Sequence, residues 1–129
     1  MIGDKEVHFA GKATDLHALQ AHIEKYLNDD GFTTQASPTS DQGVVIQARK
    51  GGWLRDIVAA DRALTITITG GSNDFTVRVG IGKWLEHLGV AVIETLLLSE
   101  LFLFIDLADA LWNLEIEDKL IADFTTFIG

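Results

Sequence analysis

The sequence contains no cysteine and a single proline, Pro38, in 129 residues. The lack of cysteine excludes a disulfide framework, a thiolate nucleophile, a zinc–cysteine site and an iron–sulfur cluster. The chain also has no Gly-x-Ser-x-Gly motif, and its four histidines include no His-x-x-x-His pair. The usual local signatures of a hydrolase and of a helical metal site are therefore missing. We expect no bound metal and no cofactor.

The glycines around position 80 do not form a phosphate-binding motif. Segment 80–83 reads Gly-Ile-Gly-Lys, where we predict that a strand ends and a helix begins. A dinucleotide-binding fingerprint needs a glycine at position 85, which is Leu85. A P-loop needs a glycine at position 77 and Ser or Thr at position 84, which are Val77 and Trp84. We interpret the segment as the glycine-flanked end of a strand.

Basic residues are scarce, and the formal net charge is −9. The charge is uneven, because residues 49–83 sum to +3 and residues 84–129 to −8. An acidic chain is repelled by phosphates, so we expect no nucleic-acid partner. We expect the basic middle block to attract the acidic tail of the same chain or of a neighbouring subunit.

Length and composition indicate one globular domain covering residues 1–129. Hydrophobic residues make up 47% of the chain and charged residues 22%, and the mean hydropathy is +0.21. The first ten residues carry three charges and no apolar run, so we predict no secretory signal peptide and a cytoplasmic location. Within the domain, residues 1–82 should form a helix and a sheet, and residues 83–129 an apolar and acidic helical segment.

The N-terminal part of the chain predicts a helix. Thr14 is a suitable N-cap, Asp15 would stand in the first turn, and Gly31 is a suitable stop. A short edge strand is expected before it, at residues 5–10. The apolar residues at helical spacing are Leu16, Leu19, Ile23, Tyr26 and Leu27.

Strand patterns fill the middle of the chain. Residues 32–43 read as a short strand running into a polar turn, and further strands are predicted at 44–49, 53–60, 64–69 and 75–81. The runs at 64–69 and 75–81 alternate strictly, which predicts a hairpin with one apolar face. The opposite face should be a solvated polar surface bearing Thr65, Thr67, Thr69, Thr76 and Arg78. The predicted fold class is α+β, with an N-terminal helix, an antiparallel β-meander of four to five strands and a long apolar C-terminal helix or helix pair.

Residues 88–105 are apolar apart from five positions, and this length approaches that of a membrane span. Glu94 and Glu100 make spanning costly. A surface for self-association or for membrane attachment, and a plain buried helix, are the alternatives. The residues that we predict to contact a partner or membrane are Leu96, Leu97, Leu98, Leu101, Phe102, Leu103, Phe104 and Trp112.

The last stretch, 107–127, is amphipathic, and we expect it to fold back onto the core of its own domain. The order of elements is similar to that of helix-grip ligand carriers, which wrap a sheet around a terminal helix. Our leading hypothesis is a non-catalytic domain that forms homo-oligomers or attaches to a membrane or partner. An enzyme, with His87 and Glu94 as the pair of interest, is less favoured. The alternative to association is a carrier that holds a small apolar ligand or lipid between the C-terminal helix and Ile66, Ile68, Val77 and Val79.

Overall fold

The computed structural model describes residues 4–11, 13–37, 43–49, 62–71, 73–84 and 114–129. The predicted strand at 53–60 and the apolar run at 88–105 lie outside these residues. Among the described residues, no helix is both long enough and apolar enough to cross a bilayer. The elements are β1 (Asp4–Ala10), α1 (Leu16–Asp29), β2 (Thr33–Ala36), β3 (Val44–Arg49), β4 (Arg62–Gly71), β5 (Asp74–Lys83) and α2 (Leu114–Ile128).

The five strands form one sheet in the order β1-β5-β4-β3-β2, and every neighbouring pair is antiparallel. The predicted α+β class with an antiparallel sheet is confirmed. The edge strand expected before the first helix is present as β1, and β2 to β5 form a four-stranded meander to which β1 adds at the β5 edge. Because four successive antiparallel pairings separate them, β1 and β2 run parallel at opposite edges of the sheet, and α1 connects them. The C-terminal helix that the structure describes spans 15 residues, Leu114–Ile128. The predicted long apolar helix or helix pair stays a prediction, because its apolar part lies outside the described residues.

The hairpin of β4 and β5 follows from alternation of apolar and polar residues. Ile66 lies opposite Val79 and Ile68 opposite Val77, and all four side chains are buried. The predicted strands 64–69 and 75–81 left residues 70–74 for the turn. The ladder continues to the pair of Gly71 and Asp74, so the turn is shorter than predicted. Gly70 has a φ of +112°, and a Cβ added there would lie 2.4 Å from the carbonyl oxygen of Asp74. Glycine is therefore required where β4 turns into β5.

Helix α1 begins one residue later than predicted. Asp15, not Thr14, is the N-cap, and its Oδ1 accepts hydrogen bonds from the backbone N–H of His17 at 3.0 Å and of Ala18 at 3.2 Å. The helix ends as Gly31 predicted, because this glycine has a φ of +91°. Its N–H donates to Asn28, and the N–H of Phe32 donates to Leu27, which is the Schellman arrangement.

Both helices lie on the apolar face of the sheet. Leu19, Ile23 and Leu27 of α1 are fully buried, as are Leu120 and Phe124 of α2. Aromatic rings connect the layers: Phe9 of β1 stacks on Phe75 of β5 at 5.2 Å and meets Phe124 edge-on at 6.2 Å. Within the final stretch, α2 therefore packs on the core of its own domain, as the amphipathic pattern predicted, and residues 107–113 lie outside the described residues.

The second face of the sheet differs from its prediction. Its residues are polar, but Gln47, Thr65 and Thr67 are buried, with side-chain exposures of 0%, 0% and 5%. Val45 on the same face is also fully buried. Period-2 alternation shows which residues share a face and does not show whether that face meets solvent. The solvated surface of Thr and Arg expected from the sequence is therefore wrong at its centre.

Candidate functional site

A cross-helix contact between α1 and α2 brings together ionisable and aromatic side chains from distant parts of the chain. The Nε2 atom of His22 lies 2.7 Å from the Oδ2 atom of Asp123, and both side chains are about two-thirds buried. The imidazole stacks on the ring of Phe127 with centroids 4.2 Å apart and planes inclined by 17°. We call these three residues the helix seam. The sequence analysis did not find it, because 101 residues separate the histidine from the aspartate.

Tyr26 stands one turn along α1 from His22. Burial raises the pKa of its phenol above the ordinary value of 10.0, and the negative charges of Asp123 and Asp30 raise this pKa further. Lys119 on α2 acts in the opposite direction and lowers it. The neutral phenol is therefore the form that the folded chain favours beside this acidic part of the seam.

The chemistry of the seam is that of a contact between helices. Nε2 of His22 is hydrogen-bonded to Asp123, and the ring of Phe127 stacks on one face of the imidazole. The other short ionisable contacts also join residues of the same fold, since Lys25 pairs with Asp29 and His8 with Asp74. Among the described residues, no group of three His, Asp or Glu side chains is placed to hold a metal ion.

A chain of hydrogen bonds crosses three strands on the second face. The Nε2 atom of Gln35 donates to Oε1 of Gln47 at 3.0 Å, and Nε2 of Gln47 donates to Oγ1 of Thr65 at 3.1 Å. The Thr65 hydroxyl donates in turn to the carbonyl oxygen of Ala63 at 3.1 Å. Because a buried polar group without a partner costs about 1–3 kcal/mol, these bonds stabilise the sheet by satisfying polar side chains that the second face buries.

A small cleft lies where the first turns of α1 meet β3 and β4. Its volume is about 80 Å³, and its lining includes Leu16, His17, Gln20, Val44 and Ile68. Pockets for drug-sized ligands usually measure roughly 300–1,000 Å³. The cleft is thus of a size for water molecules or a very small ligand.

The sequence-predicted site residues divide into two sets. The four candidate ligand-facing residues, Ile66, Ile68, Val77 and Val79, come together in the core beneath α1 and α2, and Ile68 also reaches the cleft. The segment 80–83 is the end of β5, which stops at Lys83, so the predicted strand end lies one to two residues later than expected. The helix predicted to follow it lies outside the described residues. The His87 and Glu94 pair lies outside the described residues. So does the set predicted to contact a partner or membrane, which consists of Leu96, Leu97, Leu98, Leu101, Phe102, Leu103, Phe104 and Trp112.

No protein-family model matches this chain, and no curated protein and no solved structure is similar to it.

Proposed function

We propose that this chain is a non-catalytic domain that associates with copies of itself, or with a membrane or partner, through the apolar residues of segment 88–105 and Trp112. The apolar side of the amphipathic helix α2 packs inside the domain, because Leu120 and Phe124 are buried in the core. This side is therefore not free to bind a partner. Association is then left to the more apolar residues that precede α2.

One observation carries the proposal. The apolar face of the sheet is covered by α1 and α2, which bury Leu19, Ile23, Leu27, Leu120 and Phe124 against it. This assigns cover of that face to helices other than the apolar segment 88–105, which supports a separate use for the segment. An apolar surface of this extent is stabilised by contact with another apolar surface, whether a second copy, a lipid layer or a partner.

The competing use of the segment is burial inside the monomer, since the second face of the sheet also holds buried residues such as Val45 and Thr65. The two uses respond differently to a charge. If the segment lies between subunits, Leu97→Glu should dissociate an oligomer and leave the monomer folded. If it lies inside the monomer, the same change should lower the free energy of unfolding by several kcal/mol.

The test is size-exclusion chromatography with light scattering on the full chain, with and without mild detergent. We expect a stable oligomer in plain buffer that Leu97→Glu or Phe102→Glu shifts to monomer, while circular dichroism stays unchanged. Ala122→Glu is the matched control, because it adds the same charge at an exposed position on α2. Aggregation that detergent cures would favour the membrane form of the proposal. A wild-type monomer at every concentration would contradict self-association, and unfolding of Leu97→Glu would contradict every form of the proposal.

The carrier hypothesis has weaker support. It requires space between Ile66, Ile68, Val77, Val79 and a helix, and the cleft at Ile68 holds about 80 Å³. Mass spectrometry of an organic extract of the purified chain tests it directly. A stoichiometric lipid would favour the carrier over the association proposal.

A further inference from the structure

The two edges of the described sheet are unequal. At one edge β2 has four residues, whereas at the other β1 has seven and pairs with β5 along its whole length. In an outermost strand, every second residue directs its backbone N–H and C=O away from the sheet. A short edge strand gives little for another strand to pair with, and a long continuous one is a template. β1 contains no proline, no glycine and no break in its register with β5.

We propose that β1 pairs with β1 of a second copy of this chain, antiparallel and centred on Val7, so that two five-stranded sheets become one. This interface goes beyond the proposed function, because it uses a strand edge at residues 4–10 and not the apolar segment 88–105.

Two features select the register. First, Val7 is the midpoint of Asp4–Ala10, so only this centre pairs all seven residues of both strands. Second, it places Glu6 opposite His8 of the partner subunit, and the symmetry makes this pair twice. Glu6 and His8 are exposed and share one face of the strand. His8 also contacts Asp74 of β5, which holds its ring on that face.

The neighbouring registers are poorer. A pairing centred on Glu6 overlaps five residues and places two glutamates directly opposite each other, which is destabilising. A pairing centred on His8 also overlaps five residues and places two imidazoles opposite each other. The overlap length and the repulsion of paired glutamates at a Glu6 centre therefore favour the same centre, Val7.

The absence of cysteine from the chain makes the register measurable by cross-linking. Residues directly opposite each other in an antiparallel pair have Cα atoms about 4.5–5.5 Å apart, within the reach of a disulfide. Glu6→Cys and His8→Cys chains, mixed and oxidised, should give the mixed disulfide dimer in large excess over either homodimer. Ala21→Cys, at an exposed position on α1, measures the background of random collisions.

Other products of the same experiment would overturn the proposal. A dominant homodimer of Glu6→Cys or of His8→Cys would place the centre at residue 6 or 8. Cross-linking no stronger than that of Ala21→Cys would mean that β1 does not pair with itself. Repeating the oxidation in chains that also carry Leu97→Glu separates the β1 interface from association through segment 88–105. If the mixed disulfide still forms while no species larger than a dimer is present, the strand pairing is supported even if the proposed function fails.

Charge exchange supplies a second, independent measurement. His8→Glu places like charges opposite each other twice and should weaken the dimer about tenfold, measured by light scattering over a concentration series. The double change Glu6→Lys with His8→Glu places opposite charges across the interface twice and should recover the affinity. Ala21→Glu adds the same charge away from β1 and should leave the dimer unchanged. A wild-type chain without a dimer, or a double variant as weak as His8→Glu, would overturn the proposal.

Discussion

Truncating Phe124 to alanine tests whether α2 belongs to the core of its own domain. The ring is fully buried and meets Phe9 edge-on at 6.2 Å, with the ring planes inclined by 69°. Replacing a buried phenylalanine by alanine removes its burial and leaves a cavity, which together cost about 3–5 kcal/mol. The lost aromatic pair, about 0.5–1.5 kcal/mol, is part of this cost.

The expected loss is a large share of the stability of a domain of this size, which is about 5–15 kcal/mol. Urea unfolding followed by circular dichroism should show an earlier midpoint with an unchanged slope, because the surface exposed on unfolding is nearly the same. The melting temperature should fall by roughly 10–20 °C. Measurements at several protein concentrations separate unfolding from dissociation of an oligomer.

Phe127→Ala is the matched control. Phe127 lies one turn further along α2 and is 43% exposed, with its ring against His22. We expect its truncation to cost about 1 kcal/mol, since most of the contact is with one neighbour. Equal losses for the two variants, or a loss below about 1 kcal/mol for Phe124→Ala, would refute the assignment of α2 to the core.

Two further predictions concern α1. Tyr26 is the single tyrosine of the chain, so ultraviolet titration of the phenolate reports on it alone; its midpoint should lie above 10, and Asp123→Asn should lower it. Because the pKa of Tyr26 is raised in the folded chain, its contribution to the free energy of unfolding is present below pH 10 and is lost as the pH rises through the folded pKa. Tyr26→Phe should remove this alkaline loss of stability. A phenolate titration midpoint at or below 10 would contradict the burial of Tyr26. Asp15→Ala should cost about 1 kcal/mol in urea unfolding and Asp15→Asn much less, because the cap needs a side-chain oxygen. Thr14→Val should be neutral or stabilising, since the buried Thr14 hydroxyl has no hydrogen-bond partner among the described residues. A larger loss for Thr14→Val than for Asp15→Ala would restore Thr14 as the cap.

The parts of the fold that the sequence predicted depend on short-range patterns. Alternation placed Ile66, Ile68, Val77 and Val79 on one buried face, and their register in the β4–β5 ladder agrees. Helical spacing with a terminal Gly31 located α1 to within a residue or two. In these cases the residues that determine the structure are neighbours in sequence, so the pattern contains the information.

The errors arose where the structure depends on distant residues. β1 was expected as an edge strand, but its partner β5 could not be predicted because no local pattern encodes a register across more than 60 residues. Thr14 and Asp15 are both good capping residues, and the choice depends on the burial of Thr14. The face of the sheet that bears Thr65 and Thr67 was expected to be solvated, because polar residues were taken to be exposed, whereas both threonines are buried.

The candidate site shows the same division. His22 and Asp123 each look like a surface residue of an amphipathic helix, and only the packing of α1 against α2 brings them to 2.7 Å. The apolar spacing of α2 suggested that Phe127 faces the core with Phe124, whereas it lies near the edge of the contact. The association set from Leu96 to Trp112 stays a prediction, because it lies outside the described residues.

The pairing of β1 with β5 has a consequence for synthesis of the chain. The residues that β1 needs are made 64 to 76 positions later, as the pairs Ala10 with Asp74 and Asp4 with Gly80 show. At about 5–20 residues per second, a growing chain carries β1 without its partner for roughly 3–15 s. During that time Phe9 has neither Phe75 nor Phe124 to cover it. β1 is thus translated well before the strand that secures it, and during this interval its apolar side chains are open to contact with other growing chains.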